Sequence, residues 1–253
     1  MEELLNTWDG WGRRDPLWAV NAQQSKFGGT WNEGEFFQTG LSDARKIVEQ
    51  ALHIDPKIPR GVALDFGCGV GRISQALCSH FDSVIGVDIA PSMLAKAREL
   101  NRFSVRCEYL QNPYPDLRVF RDSSFSFVHS TWTLMHIPPE LIISYIREFI
   151  RVVHPDGMIA FQLPGEPSSR WMARNPLVDV FFNRSRLGSR TYGLAWECIQ
   201  RVLGRPVSGW QMHWLPKSEV FSLVSRSGGR TRAALELRPG RLKDYRYFVS
   251  KQC

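Results

Sequence analysis

The stretch ALDFGCGVGR, residues 63–72, constrains the fold of this 253-residue chain more than any other segment. It begins as an apolar run that carries Asp65 near its end, and it then places glycines at three alternate positions, Gly67, Gly69 and Gly71. Glycines allow a tight turn and let a ligand approach the backbone closely. A buried strand that ends at such a loop predicts an open α/β sheet, in which ligands bind beyond the carboxyl ends of the strands.

The same strand-and-helix unit recurs along the chain. Helices are expected between the strands, among them one over residues 41–54 behind a Ser42 cap. Two strand-like runs near the C terminus, residues 231–237 and 244–250, have so short a connection that they must pair antiparallel. The other strands are predicted at Val62–Phe66, Ser83–Asp88, Val105–Leu110, Ser124–Ser130 and Gly157–Pro164. This alternation predicts an α/β fold with a seven-stranded, mostly parallel sheet, helices on both faces and a terminal antiparallel hairpin.

The glycine loop departs from the loops that bind dinucleotides or nucleoside triphosphates. Its glycines alternate and are followed by Arg72, which is not the GxGxxG fingerprint, and no GK[ST] cradle follows. Asp65 would repel a pyrophosphate and would suit a cationic ligand. Asp88 closes the next strand, within the interval expected for a carboxylate that binds a ribose. A ligand with a ribose, an amino-acid end and a positive charge meets these conditions, and S-adenosylmethionine has all three.

In these features the chain resembles the class I S-adenosylmethionine-dependent methyltransferases, of the small-molecule kind with type 11 or type 25 domains. The resemblance spans Val62–Pro164. It is carried by the D-x-G-x-G-x-G loop and by the segments GVDIAPSMLAKAR (86–98), FVHSTWTLMHI (127–137) and RVVHPDGMIAF (151–161). It implies a Rossmann-like fold and in-line transfer of a methyl group from S-adenosyl-L-methionine, with S-adenosyl-L-homocysteine as the product and no metal.

The resemblance also implies a set of cofactor-binding residues. Asp65 would orient the amino group of the methionine portion, and Asp88 would accept both ribose hydroxyls. Asn112 stands where the family often has an acid that reads the adenine amino group, and its side-chain carbonyl can accept the same hydrogen bond. The further residues implied at the cofactor are Gly67, Cys68, Gly69, Gly71, Ile89, Met93, Pro113, Ser130 and Thr131.

The acceptor side is less clearly marked in the sequence. His136 follows the fourth strand and is the candidate general base, with a structural histidine or a cofactor contact as the alternatives. Aromatic residues crowd the N-terminal segment, which favours a lid over the site or a hydrophobic cluster that packs this segment onto the sheet. The residues assigned to the acceptor are Trp31, Trp132, Arg170, Arg174 and His213.

Positive charge is concentrated in the last third of the chain. The net charge is +7, and residues 170–253 carry 16 lysines and arginines against 5 aspartates and glutamates. Because arginine binds carboxylates and phosphates in a bidentate manner, we expect a small anionic or sugar-linked acceptor, methylated on oxygen rather than nitrogen. A solvated arginine-rich surface is the alternative. An RNA methyltransferase and a non-catalytic protein that binds the cofactor or a partner are the competing functions, although no separate RNA-binding module is visible.

The whole chain is expected to form a single methyltransferase domain. Its parts are an aromatic lid (1–40), a cofactor-binding core (41–164), an insertion that caps the acceptor (165–215) and a closing helix and hairpin (216–253). Five scattered cysteines without a CxxC pair, no signal sequence and no bilayer-spanning apolar run predict a cytoplasmic protein without membrane association. The sequence does not determine the oligomeric state.

Overall fold

The fold is that of a computed structural model, which describes residues 1–167, 212–237 and 242–252. Seven strands in this part of the chain form one sheet in the order β3-β2-β1-β4-β5-β7-β6. The strands are β1 (Val62–Phe66), β2 (Ser83–Asp88), β3 (Cys107–Gln111), β4 (Phe125–Ser130), β5 (Val153–Pro167), β6 (Gly229–Glu236) and β7 (Leu242–Lys251). The helices are α1 (Glu2–Arg14), α2 (Pro16–Val20), α3 (Glu33–Ile54), α4 (Arg72–Leu77), α5 (Pro91–Glu99), α6 (Pro139–Val152) and α7 (Lys217–Arg226). The predicted fold class is confirmed.

The strand pairing brings the ends of three strands together. Strands β1 to β5 pair in parallel, and β7 runs antiparallel to both β5 and β6. In β1, Asp65 lies between Gly86 of β2 and His129 of β4. The strand order reverses between β1 and β4, so the carboxyl ends of these strands form the crevice where open α/β sheets bind ligands.

Apolar side chains cover both faces of the sheet, which is why the central strands read as near-continuous apolar runs. On one face, α6 and α7 pack against residues such as Leu64, and Phe149 of α6 is fully buried there. On the other face, α3, α4 and α5 pack against residues such as Phe127, with Val48 of α3 buried between them. The sheet is therefore the middle layer of three, and its polar groups reach solvent or ligands mainly at the strand ends.

Helix α3 begins earlier than the sequence predicted. It starts at Glu33, and the side chain of Asn32 caps it by accepting a 3.0 Å hydrogen bond from the backbone N–H of Glu35. The Ser42 cap is therefore wrong, because Phe36 and Phe37 extend the buried face of the helix toward its N terminus. A smaller shift occurs at β3, which begins at Cys107 after a turn of 3₁₀ helix.

The N-terminal aromatic segment forms helices α1 and α2. It packs against the glycine loop at Val70 and against Met93 of α5, and it also lines the crevice at the strand ends. Its hydrophobic side chains, among them Trp31 and Phe36, form a cluster of buried and half-buried residues. Asp9 of α1 fastens the segment to α5 by accepting a 2.9 Å hydrogen bond from the backbone N–H of Ser92, while the hydroxyl of Ser92 donates to the Asp9 carbonyl over 2.8 Å. Hydrogen bonding of the Asp9 carboxyl by the side chain and the backbone of Ser92 holds its pKa below the usual range.

The segment after the core begins as part of the sheet. The fifth strand was expected to close at Pro164, but β5 continues to Pro167 because Pro167 still pairs with Leu242 of β7. Most of the expected insertion, residues 168–211, lies outside the described part of the chain. None of the described helices is both long enough and apolar enough to cross a bilayer.

The crossing of α3 over the start of α4 makes a stability prediction. A Cβ atom at Gly40 would collide with the backbone carbonyl of Arg72, whereas one at the exposed Gly10 of α1 would meet nothing. We expect Gly40→Ala to lower the free energy of unfolding by roughly 1–3 kcal/mol, as overpacking does. Gly10→Ala should raise it by roughly 0.5–1 kcal/mol, because alanine is the better helix former. Urea unfolding followed by circular dichroism measures both, and equal effects of the two substitutions would contradict the close helix crossing.

Candidate functional site

A cavity of about 400 Å³ opens at the carboxyl ends of the parallel strands. Residues after β1, β2 and β4 form one end of it, and residues of β5 and β7 form the other. Met1 also lines it, together with Leu4 and Trp8 of helix α1. The cavity therefore lies where the strand order predicts a ligand.

Hydrogen bonds to β2 hold the glycine loop at the floor of the cavity. The backbone N–H groups of Gly67 and Cys68 both donate to the carbonyl of Val87, over 2.8 and 3.0 Å. Gly67 has a φ of +72° and Gly69 a φ of +53°, a region that favours glycine. A Cβ atom at Gly67 would also collide with the side chain of Thr133. The loop thus presents bare backbone to the cavity.

The carboxylate of Asp88 joins the loop to the end of β2. Its Oδ2 accepts a 2.9 Å hydrogen bond from the N–H of Gly69, and its Oδ1 accepts one of 2.9 Å from the N–H of Ala90. Burial nevertheless raises the pKa of Asp88 above its usual value, so the protein's hydrogen bonds do not fully replace water around the ionised group. Each oxygen has a further lone pair, and the side chain faces the cavity.

Asn112 offers a second unused acceptor. Its backbone N–H donates to the carbonyl of Asp88 over 3.0 Å, and its Nδ2 donates to the carbonyl of Asp116 over 2.9 Å. The second bond fixes the orientation of the amide, because Nδ2 is its donor end. The Oδ1 atom is buried and has no hydrogen-bond partner within the described structure. A ligand that donates a hydrogen bond would satisfy it.

Asp65 is engaged inside the protein and does not line the cavity. Its Oδ2 accepts a 2.6 Å hydrogen bond from the hydroxyl of Ser74, and its Oδ1 lies 2.8 Å from Nδ1 of the buried His129. Nε2 of His129 in turn lies 2.8 Å from the hydroxyl of Thr131, which does line the cavity. The aspartate thus anchors a buried chain of polar groups that ends at the cavity wall.

His136 and Trp132 are two aromatic residues of the cavity wall. The ring of His136 packs edge-on against Trp8 at a centroid distance of 5.2 Å, which ties the candidate base to α1. Trp132 is 43% exposed and has a φ of +56°, a conformation that strains a residue other than glycine. The guanidinium of Arg72 lies 5.7 Å from its ring centroid. Backbone strain of this kind is concentrated at functional sites.

The structure brings most of the expected site residues to one cavity and leaves others outside it. The expected residues that line the cavity are Gly67, Gly69, Asp88, Ile89, Met93, Asn112, Thr131, Trp132 and His136. The expected residues that do not line it are Asp65, Cys68, Gly71, Pro113, Ser130, Trp31 and His213. Arg170 and Arg174 lie outside the described residues.

The residues away from the cavity have identifiable surroundings. The sulfur of Cys68 faces Gly86 in the core behind the loop, where burial and the charges of Asp88 and Asp65 raise the pKa of its thiol. Trp31 is buried in the N-terminal cluster, and its Nε1 donates to the carbonyl of Asn21 over 3.2 Å. His213 is half-buried, and burial lowers the pKa of its ring.

Sequence reasoning missed the far end of the cavity, where Gln162 of β5 and Asp244 of β7 lie. A signal for Asp244 was present, because an aspartate inside an aromatic strand such as KDYRYFV is unusual. Tyr145 of α6 and Asn21 also line the cavity. No local pattern marks either of them as a wall residue.

Comparison with known proteins agrees with this geometry. Residues 63–157 match the family model described as a methyltransferase domain. An uncharacterized methyltransferase of Synechocystis sp. is 30% identical over 146 residues, which cover 58% of this chain and 64% of that protein. A ubiquinone biosynthesis O-methyltransferase of Xanthomonas campestris is 31% identical over 103 residues, covering 40% of this chain and 42% of that protein. The chain thus spans less than two thirds of these relatives.

The fold is shared with solved methyltransferase structures. The crystal structure of magnesium protoporphyrin IX methyltransferase from Synechocystis, with bound SAH, superposes with a TM-score of 0.57. The alignment covers 90% of this chain and 91% of that one at 15% identity. The superposition shows that the two proteins share a fold, and at this low identity it shows nothing further.

The two strand-end aspartates should differ in what their loss does to the ligand-free protein. Asp65→Ala leaves Ser74 and His129 buried without their acceptor, which should lower the free energy of unfolding by about 2–4 kcal/mol. Asp88→Ala should cost less, about 1 kcal/mol, because Asp88 and its partner Gly69 lie at the cavity wall, where water can take the place of the carboxylate. Urea unfolding without ligand measures the difference. A larger loss for Asp88→Ala than for Asp65→Ala would show that these roles are reversed.

Proposed function

We propose that the chain is a class I S-adenosylmethionine-dependent methyltransferase, which transfers a methyl group from S-adenosylmethionine to an oxygen of a small-molecule acceptor. The observation that carries this proposal is the pairing of Asp88 and Asn112 in one cavity. Both side chains turn acceptor oxygens toward the place where a nucleoside would lie.

The chain's own residues fit the cofactor. Asp88 has free lone pairs for the two ribose hydroxyls, and the unpartnered Oδ1 of Asn112 can accept a hydrogen bond from the adenine amino group. Ile89 and Met93 add apolar wall beside them. The positive-φ glycines leave room for the methionine portion against the backbone of the loop.

The protein's contribution to the reaction is alignment and exclusion of water. When bound, S-adenosylmethionine supplies a methyl group on a sulfonium, a leaving group that needs no activation by the protein. The loop and Asp88 fix one partner in place, and the walls of the cavity position the acceptor in line with it; such alignment is worth up to roughly 7–11 kcal/mol. Helix α1 covers the cavity and limits the entry of water.

His136 supplies a proton acceptor at the cavity wall. Its ring lines the cavity and is held edge-on by Trp8. A hydroxyl attacks more readily when a base removes its proton, an effect worth about 10²–10⁴-fold. Oxygen is the acceptor atom we favour, and a relative from Xanthomonas is named as an O-methyltransferase.

The described walls do not favour an anionic acceptor. Within residues 1–167, 212–237 and 242–252, the cavity is lined by two carboxylates, Asp88 and Asp244, and by neither lysine nor arginine. The arginines that motivated an anionic or sugar-linked acceptor lie outside the described residues. The small-molecule class itself is supported by a cavity that is enclosed by apolar side chains rather than by a basic surface.

Cofactor binding tests the first half of the proposal. Titration calorimetry with S-adenosylhomocysteine should show binding, and Asp88→Ala should weaken it by roughly 100-fold or more, because two hydrogen bonds to a charged group are lost. Asn112→Leu should weaken it by roughly 5- to 10-fold, because one neutral hydrogen bond is lost. Asp156→Ala is the matched control, since Asp156 is exposed at the opposite end of the sheet. Undiminished binding by Asp88→Ala would refute the assignment.

Methyl transfer tests the second half. Incubation with methyl-labelled S-adenosylmethionine and a cell extract should place label in the small-molecule fraction, and His136→Gln should lower the transfer rate by about 10²–10⁴-fold at neutral pH. His53→Gln, at an exposed position at the end of α3, should leave the rate unchanged. Label in RNA would instead identify an RNA methyltransferase, and binding without any transfer would identify a non-catalytic protein.

A further inference from the structure

The cavity has a second polar end, which the proposed cofactor residues leave unused. Gln162 and Asp244 line it from the antiparallel edge of the sheet. In the β5–β7 pairing, Gln162 lies opposite Arg246, and Asp244 comes two residues before Arg246 on the same strand. All three side chains therefore project from one face of the sheet.

The carboxylate of Asp244 is held in place but is only half used. Nε2 of Gln162, a residue that is 2% exposed, donates a hydrogen bond to its Oδ2. Oδ1 is buried and finds no partner within the described parts of the chain. An unpartnered buried oxygen is unfavourable, and native proteins rarely retain one without a reason. A hydrogen-bond donor on a bound molecule would provide that reason.

The neighbouring arginine does not neutralise this carboxylate by a hydrogen bond. Arg246 donates from Nη1 to Oε1 of Gln50 over 2.9 Å, and its own Nε is also buried without a partner in the described structure. Burial raises the pKa of Asp244 above its usual value and lowers the pKa of Arg246. Asp244 at the cavity wall and Arg246 two residues further along β7 are therefore both only partly hydrogen-bonded.

The surrounding wall is mostly apolar. The described lining residues are mainly aromatic, aliphatic and thioether side chains, and none is a lysine or arginine. They include Leu4, Trp8, Phe66, Met135, Ile137 and Tyr145. The polar side chains among them are few, such as Asn21, Thr131, Thr133 and His136. A molecule that fills this space needs a largely apolar body and a polar group at the Asp244 end.

We propose that Asp244 determines acceptor specificity, with its Oδ1 accepting a hydrogen bond from a hydroxyl of a neutral, largely apolar acceptor. This inference rests on the proposed function, because it takes the Asp88 end of the cavity as the cofactor's. Asp244 repels a carboxylate or a phosphate. A protonated amine is disfavoured as well, because it loses more hydration than a neutral hydroxyl on entering a mostly apolar cavity, and attraction to one carboxylate does not repay that loss unless its other protons are also hydrogen-bonded. A neutral hydroxyl avoids both penalties.

Four small probes that differ in one substituent separate these possibilities. They are 4-methylphenol, its methyl ether, 4-methylbenzoate and 4-methylbenzylamine, each titrated by ligand-observed NMR into protein saturated with S-adenosylhomocysteine. We expect the phenol to bind about 3- to 10-fold more tightly than the ether, and the benzoate more weakly than both. Asp244→Asn should reduce the phenol's advantage over the ether to less than 2-fold. Asp156→Asn, at an exposed aspartate at the other end of β5, should preserve the wild-type order.

Each outcome tests either the proposed function or the role of Asp244. Failure of the wild type to bind S-adenosylhomocysteine overturns the proposed function. If S-adenosylhomocysteine binds equally to wild type and Asp244→Asn, the proposed cofactor site is supported, and the four probes then test the role of Asp244. Preference for the benzoate or the amine, no detectable binding of the phenol, or an unchanged order in Asp244→Asn overturns the role of Asp244.

The pH dependence of the melting temperature is an independent test, because an aspartate that only supports the fold would give a different result. Because burial raises the folded-state pKa of Asp244 above 3.8, the folded protein holds this proton more tightly than the unfolded chain. The stability contributed by Asp244 is therefore greatest below that value and falls as the pH rises through the folded pKa. Asp244→Asn does not titrate and should melt at or above the wild-type temperature at pH 7, with a smaller advantage at pH 4. A clear drop in melting temperature at pH 7 would mean that Asp244 serves the fold and not a ligand.

Discussion

The hydrogen bond from the Gly69 N–H to the carboxylate of Asp88 is the contact on which the site depends. It ties the loop after β1 to the tip of β2, and the carbonyl of Val87 takes the loop's two preceding N–H groups. These bonds hold the glycines in left-handed conformations, so the backbone rather than side chains faces the cavity. The same carboxylate also accepts the N–H of Ala90 at the start of α5. One side chain therefore positions a loop, a strand end and a helix around a single ligand site.

Several groups in the cavity wall are in energetically unfavourable surroundings in the ligand-free molecule. Asn112 and Asp244 each have a buried oxygen without a partner in the described structure, and Trp132 in the cavity wall adopts a strained backbone conformation. Each feature is unfavourable by about 1–3 kcal/mol in the ligand-free molecule. The pKa values of Asp88 and Asp244 are both raised by burial, which shows that the protein leaves their charges incompletely compensated. By contrast, Asp65 is satisfied on both oxygens and belongs to the scaffold behind the cavity.

The N-terminal helix α1 is joined to α5 and to His136. Asp9 of α1 binds the backbone of Ser92 in the first turn of α5, two residues beyond Ala90. From the same helix, Trp8 reaches the ring of His136. The sequence offered a lid and a packed aromatic cluster as alternatives for this segment. In the structure some of its residues, such as Met1 and Leu4, line the cavity while others, such as Trp31, pack away from it.

The sequence by itself determined the sheet and the glycine-loop end of the cavity, because these depend on patterns that are local in the chain. The apolar run of β1, the glycine spacing and the aspartate at the end of β2 are each contained within a few residues. The strand alternation then brings the strand ends together. The hairpin connection was too short for anything but antiparallel pairing.

Only the tertiary structure decided which way individual side chains face and what they meet. Cys68 lies in the predicted loop, yet its sulfur packs behind it against Gly86. The partners of Asp65 come from α4 and β4, and the Gln162 that holds Asp244 lies 82 residues away in the chain. A periodic pattern assigns a residue to a strand or a helix, but a hydrogen bond between distant strands depends on how the whole sheet is ordered. The end of the cavity at Gln162 and Asp244 is built from such a pair, and for that reason the sequence did not reveal it.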